Sequence, residues 1–209
     1  MNQYHKINGV YKRDEKWNFI MGDFACPEFE LLQDYEWDWY EKVDWTNIRV
    51  IWDWTWVKFK WKTDNAQMPP HLMDALHEIF LPVEGVFREI FPIDDPIDNS
   101  ICLYWEWYWE KIQSWWDYWP ASFILFDVRV WSFWLKREAV EEIAEKLGIK
   151  CVSLMASCTL SYAIDYTKQW WASFLKDWPS EWVIWIPKGN LLDRMWRRII
   201  VKLKHKDFK

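Results

Sequence analysis

Apolar residues follow two different spacings along the chain, and the spacings separate strands from helices. Strand-like runs, most of them rich in β-branched and aromatic residues, are NIRVIWD, WVKFKWK, SICLYWEWY, SFILFDVRV, KCVSLMA, EWVIWIP and RIIVKLK. Helix-like runs are HLMDALHEIF and REAVEEIAEKLGI. The second sets Val140, Ile143, Ala144 and Leu147 at helical spacing and ends on Gly148, which predicts a C-cap. LSYAIDYTKQWWASFL and GNLLDRMWRR carry a weaker helical pattern. The densest loop signal is FPIDDPIDNS, residues 91–100. Strands in neighbouring pairs, interrupted by helices, predict an α+β fold rather than a doubly wound parallel sheet. Glycine-rich phosphate loops of the dinucleotide or Walker type are missing from the pattern.

Composition narrows the class. A chain of 209 residues with 51% hydrophobic and 28% charged residues can bury a sizeable core. No apolar run approaches the roughly 18 residues a membrane helix needs, and the N-terminus carries no apolar signal segment. The scattered Cys26, Cys102, Cys151 and Cys158 are read as free thiols of a reducing cytoplasm. A net charge of -6 argues against coating nucleic acid by charge alone. The last 17 residues, DRMWRRIIVKLKHKDFK, nevertheless gather seven basic residues, either a local basic surface or a solvated tail.

Candidate chemistry begins at Lys42, between the aromatic run DYEWDWYE and VDWTNIR. A lysine in apolar surroundings can act as a nucleophile. Glu106 lies inside LYWEWYW, Glu181 opens EWVIWIP, and Lys202 and Lys204 alternate in IIVKLKHK, which puts both on one side of a strand. Two lysines on one face beside carboxylates suit an anionic polyphosphate.

In this order the residues resemble the nucleotidyltransferase domain of ATP-dependent RNA ligases of the phage type, relatives of DNA ligases and mRNA capping enzymes. KVDW (42–45) resembles motif I, Lys-x-Asp-Gly, except at its last position, and TNIR (46–49) resembles its usual continuation. WKTDNAQMP resembles the following basic motif, with Lys62 in place of an arginine. LYWEWYW resembles motif III with Glu106, LFDVRV motif IIIa with Phe126, EWVI motif IV with Glu181, and KLK motif V with Lys202 and Lys204. The resemblance runs from about residue 24 to the end. Single pieces are weak, and the ordered set is specific.

The resemblance implies one adenylation domain over residues 1–209, with antiparallel sheets flanked by helices and no C-terminal accessory domain, as a minimal enzyme or a fragment. It implies a phage source, the host cytoplasm as location, and a monomer. It implies ATP and Mg2+ or Mn2+ as cofactors, and RNA 5′-phosphate and 3′-hydroxyl ends as partners. Lys42 would attack the α-phosphate of ATP, the AMP would pass to an RNA 5′-phosphate, and a 3′-hydroxyl would then displace it. Lysine attacks in its neutral form, which neighbouring cations favour while they hold phosphate oxygens. Glu181 would serve the metal, Glu106 the ribose and Phe126 the adenine. Arg49 and Lys62 would meet sugar or phosphate, and the Glu41 backbone the adenine edge. Asp44 and Asn47 complete the nucleotide-binding set. Another covalent nucleotidyltransferase, or a nucleotide-binding protein of the same fold without turnover, are the alternatives.

One departure recurs. The chain has 22 tryptophans and 5 glycines, where an average glycine content of about 7% would give about 15. Trp45 replaces the motif I glycine. Trp105, Trp107 and Trp109 fall where relatives read YGEGYG, Trp115 and Trp116 where Gly-Gly is expected, and Trp182 and Trp185 where EGVIG is expected. Trp54 follows Asp53 at a hairpin position that calls for Asp-Gly. Adding an indole at a packed site costs about 1–3 kcal/mol, against a total stability of about 5–15 kcal/mol. Many of these tryptophans are therefore expected to be engineered in, or absent from the protein as it is made. Trp17, Trp37, Trp39, Trp52 and Trp134 suit their surroundings. Trp45 and Trp182, where present, would impair nucleotide binding by crowding the adenylate pocket.

Overall fold

The computed structural model describes residues 3–42, 46–61, 63, 66–92, 101–108, 122–169 and 183–208. Along the chain run β1 (Asn8–Gly9), β2 (Tyr11–Arg13), β3 (Phe19–Phe24), α1 (Pro27–Leu31), β4 (Glu36–Glu41), β5 (Thr46–Trp52), β6 (Val57–Trp61), α2 (Pro70–Phe80) and α3 (Glu84–Ile90). Then follow β7 (Ile101–Tyr108), β8 (Ser122–Val130), β9 (Phe133–Trp134), α4 (Arg137–Leu147), β10 (Lys150–Cys151), β11 (Leu154–Thr159), α5 (Leu160–Thr167), β12 (Val183–Pro187), β13 (Val201–Leu203) and a 3-10 turn, His205–Phe208. These elements form two compact units, Met1–His5 with Trp45–Val152, and Lys6–Asp44 with Ser153–Lys209.

The first unit holds a six-stranded sheet ordered β10-β8-β7-β5-β6, with β9 paired to β8. Alternation sends Ile101, Leu103, Trp105 and Trp107 of β7 into one core with Ile48, Val50 and Trp52 of β5. Helices α2, α3 and α4 cover that core. Leu72, Leu76 and Phe80 of α2 recur every four residues and are fully buried, and Val140, Ile143, Ala144 and Leu147 make the buried stripe of α4. Each of these side chains except Ala144 contributes about 1.5–3 kcal/mol of burial. Gly148 ends α4 at φ 68, and the N–H of Ile149 returns to Ala144 O at 2.9 Å.

The second unit holds a five-stranded sheet ordered β1-β13-β12-β4-β11 and the β2-β3 hairpin. Trp37, Trp39, Val183, Trp185, Val201 and Leu203 form its core against Leu160, Ala163 and Ile164 of α5. Thr159 caps α5 by accepting the Tyr162 N–H at 3.2 Å.

The α+β class holds, with differences in detail. The sheets are antiparallel except at two edges, where β1 joins β13 and β10 joins β8 in parallel. The second edge follows from the α4 crossover between β8 and β10. KCVSLMA is not one strand: it breaks at Val152–Ser153, giving β10 to the first unit and β11 to the second. GNLLDRMWRR is not a helix. The Asp193 carboxylate accepts the N–H of Met195 and Arg197 at 2.8 and 2.9 Å, and the Asp193 N–H reaches Arg197 O at 2.8 Å, closing a tight turn instead. The basic C-terminal stretch is not a solvated tail, because Val201 and Leu203 are core residues and Arg198 and Lys204 are buried. Helix α5 is described to Thr167, and the continuation predicted over 170–175 lies outside the described residues, as does most of the 91–100 loop. All four cysteines are free. No helix among the described residues is long and apolar enough to cross a membrane.

Candidate functional site

In the second unit the register fixes where the lysines stand. Trp39, Trp185 and Val201 share one row across β4, β12 and β13. Tyr40, Ile184 and Lys202 share the next, and Glu41, Val183 and Leu203 the one after. Trp39, Trp185 and Val201 belong to the core, so Tyr40, Ile184 and Lys202 occupy the opposite face. Lys42 lies two residues beyond Tyr40, and Lys204 two beyond Lys202. Both stand just past their strands, Lys42 after Glu41 of β4 and Lys204 after Leu203 of β13, at the same end of the sheet, and Lys204 is buried. Glu41 takes the core side and is buried, which leaves its backbone, not its carboxylate, for any partner on the lysine face.

Lys202 also lines a cavity of about 410 Å3 with Lys6, Asn8, Tyr11 and Arg13. Arg13 is fixed there from two sides: its Nη2 pairs with Asp207 Oδ2 at 2.6 Å and its Nη1 donates to Trp17 O at 2.6 Å. Burial raises the Tyr11 hydroxyl above its ordinary value, with Lys168 acting the other way.

In the first unit, the sheet face opposite the helices carries the other predicted residues. Asn47 pairs in register with Glu106, and Arg49 sits between Lys60 and Tyr104. Arg49 is fully buried and donates from Nε and Nη2 to Trp61 O, at 3.1 and 2.9 Å. It thereby holds the end of β6. Phe126 falls at a break in register: Tyr104 pairs with Asp127, whereas Trp105 pairs with Leu125. The extra residue of such a bulge is released from the ladder and its side chain re-aimed. Arg137 Nη2 holds the Phe126 carbonyl at 2.9 Å, and the Phe126 ring meets Tyr4 edge-on at 5.1 Å. Tyr4 in turn donates its hydroxyl to Asp127 Oδ2 at 2.8 Å. Burial pushes the Cys102 thiol up to about 12 and raises the Tyr104 hydroxyl as well.

Thus Glu41 and Lys202 belong to one sheet, with Lys42 and Lys204 just past the ends of its strands, and Asn47, Arg49, Glu106 and Phe126 belong to one face of the other. Asp44, Lys62 and Glu181 lie outside the described residues. Sequence reasoning missed Lys60, Tyr104, Asp127 and Tyr4. Asp127 had a signal, an acid beside Phe126 inside an apolar strand. Tyr4 had none, since its partner lies 123 positions away. Among the described residues no three His, Cys, Asp or Glu side chains converge to hold a metal. A phosphate-bound Mg2+ or Mn2+ asks for less, one or two carboxylates with substrate oxygens and water completing the shell.

Largely antiparallel sheets of this order, with few helices, match the nucleotidyltransferase fold of solved RNA ligase structures. The chain is similar in structure to an RNA ligase from Naegleria gruberi. Against a mutant of that enzyme with ATP and Mn, the TM-score is 0.66 at 12% identity, covering 99% of this chain and 58% of that one. Against the enzyme with PPi it is 0.66 at 13%, covering 98% and 62%. Against a further mutant with ATP and Mn it is 0.65 at 14%, covering 99% and 62%. At these identities the likeness is one of fold, and this chain spans about three fifths of those structures. No family model matches the chain, and no curated protein sequence does.

Proposed function

We propose that the chain is the adenylation domain of an ATP-dependent RNA ligase, with Lys42 as nucleophile. The observation that supports this reading is the β4–β12–β13 register, in which Lys202 stands level with Tyr40, two residues before Lys42, and the ends of β4 and β13 that Lys42 and Lys204 follow lie level with each other. The Lys42 amine, its proton lost, attacks the α-phosphorus of ATP. A P–N bond forms, the α–β P–O bond breaks, and pyrophosphate leaves. Lys202 and Lys204 hold the phosphate oxygens in line and balance their charge. A 5′-phosphate oxygen of RNA then takes the AMP from Lys42, and a 3′-hydroxyl displaces AMP to form the phosphodiester. Glu181 would hold a divalent metal, Mg2+ or Mn2+, which would supply neutralisation of developing phosphate charge. Phe126 stacks on adenine, Glu106 and Asn47 serve the ribose, and Lys60 joins Arg49, Lys62 and Asp44 in ordering the nucleotide side. The whole chain acts as one such domain.

The Naegleria gruberi structures with ATP, AMP and PPi support the choice of nucleotide and fold. Labelled ATP or GTP with Mg2+ or Mn2+, followed by denaturing electrophoresis, tests the proposal. The reading expects a covalent AMP adduct that Lys42→Ala abolishes. A GMP adduct would move it to capping chemistry, and no adduct from folded protein would leave nucleotide binding without turnover.

A further inference from the structure

Five non-glycine residues among those described adopt a left-handed backbone, and four are tryptophan: Trp17 (φ 67), Trp54 (φ 70), Trp131 (φ 57) and Trp196 (φ 59). The fifth is Asn190, a residue that tolerates this region. Tryptophan does not, because its Cβ meets the neighbouring carbonyl there. Each of the four sits in a reverse turn. Two of the turns share one plan. In Asp14–Asn18 the Asp14 carboxylate accepts the N–H of Lys16 and Asn18, at 2.9 and 2.8 Å, and Trp17 N–H reaches Asp14 O at 3.0 Å. In Asp193–Arg197 the Asp193 carboxylate accepts the N–H of Met195 and Arg197, and Trp196 N–H reaches Asp193 O at 2.9 Å. Both are three-residue loops whose last residue must be left-handed, the position glycine fills. Trp54 follows Asp53 in the β5–β6 hairpin, and Trp131 opens the two-residue turn joining Val130 to Phe133.

The indoles give little back for that strain. Trp17, Trp131 and Trp196 are 73%, 53% and 84% exposed. Among the described residues, Trp54 alone of the four finds an acceptor for its N–H, the Phe91 carbonyl at 3.2 Å. At two of the motif positions, Trp105 and Trp185 are fully buried with indole N–H groups that meet no acceptor among the described residues. We infer that these turns and motif positions were built for glycine, and that the functional form of this protein carries glycine there. A single codon read as glycine where the protein is made accounts for the excess of one residue and the deficit of the other in one step. Trp17 thus leaves the set that suits its surroundings, while Trp37 stays in it, its N–H held by Leu32 O at 2.8 Å.

The inference does not rest on the ligase reading, and its test needs no activity. Trp17, Trp131 and Trp196 are changed together to glycine, and in a second protein to alanine, and thermal unfolding is compared. The glycine protein is expected to melt at a higher temperature than both the alanine protein and the unchanged chain. Trp37→Gly is expected to melt lower. An alanine protein as stable as the glycine one would show that removal of exposed indole, not backbone conformation, is responsible, and would overturn the inference. The intact mass of the protein isolated from the cells that naturally make it gives an independent decision. The inference expects it well below the 26.0 kDa of the tryptophan chain, and a mass of 26.0 kDa contradicts it.

Discussion

Trp37 and Trp185 stand in the same five-stranded sheet, both fully buried, and differ by one bond. The Trp37 N–H reaches Leu32 O, whereas that of Trp185 meets no acceptor among the described residues. A buried donor without a partner costs about 1–3 kcal/mol. Trp185→Phe, which keeps a ring against Trp39, is therefore expected to leave stability unchanged or to raise it within that range. Trp37→Phe strands the Leu32 carbonyl and is expected to cost about 1–3 kcal/mol. Urea unfolding of both variants measures the difference. Asp193 gives a pH-dependent counterpart. Burial pushes its carboxyl up, but the Arg197 N–H, the Arg197 guanidinium and the Met195 N–H outweigh burial and hold it below the ordinary value. A carboxyl lowered in the folded state contributes stability above its unfolded value and loses it as pH falls through the lower folded one. Asp193→Asn keeps an acceptor for both backbone N–H groups and loses the charge. Acid titrations followed by thermal unfolding are expected to show a smaller loss below the ordinary carboxylate range in the variant than in the parent.

At the scale of elements, strands β5 to β8 and helices α2 and α4 were legible because β-branched and aromatic runs or four-residue apolar spacing marked them directly. The turns were not. Trp17, Trp131 and Trp196 hold the places where glycine announces a hairpin, so the β2–β3 and β8–β9 reversals and the 193–197 turn carried no punctuation. The same loss made GNLLDRMWRR read as helix. The break inside KCVSLMA was hidden for another reason: no glycine or proline stands at Val152–Ser153. Gly148 is the contrasting case, a glycine kept where φ is 68, and it made the end of α4 readable. An added Cβ there would meet nothing within 4 Å, so Gly148→Ala isolates the backbone cost. It is expected to destabilise the protein by about 1–2 kcal/mol, read from denaturant unfolding with an unchanged slope.

Across the whole molecule, each unit is assembled from separated stretches of chain, and this decides which parts of the site the sequence could reveal. The lysines were legible through order alone: Lys42 early, then Glu106, Glu181 and the Lys202/Lys204 pair. That the ends of β4 and β13, which Lys42 and Lys204 follow, lie level with each other became visible only from the β4–β12–β13 register. The support of Phe126, through a bulge, Arg137 and Tyr4, arises from contacts across the chain that no local pattern encodes. The central claim is that Lys42 becomes covalently linked to AMP. Peptide mass mapping after incubation with ATP and Mn2+ tests it most directly, on both the tryptophan chain and the form with glycine at the turn and motif positions. The account predicts one AMP, carried on Lys42, in the glycine form, and less of it or none in the tryptophan chain. A folded glycine form that carries AMP on another residue, or none, would contradict it.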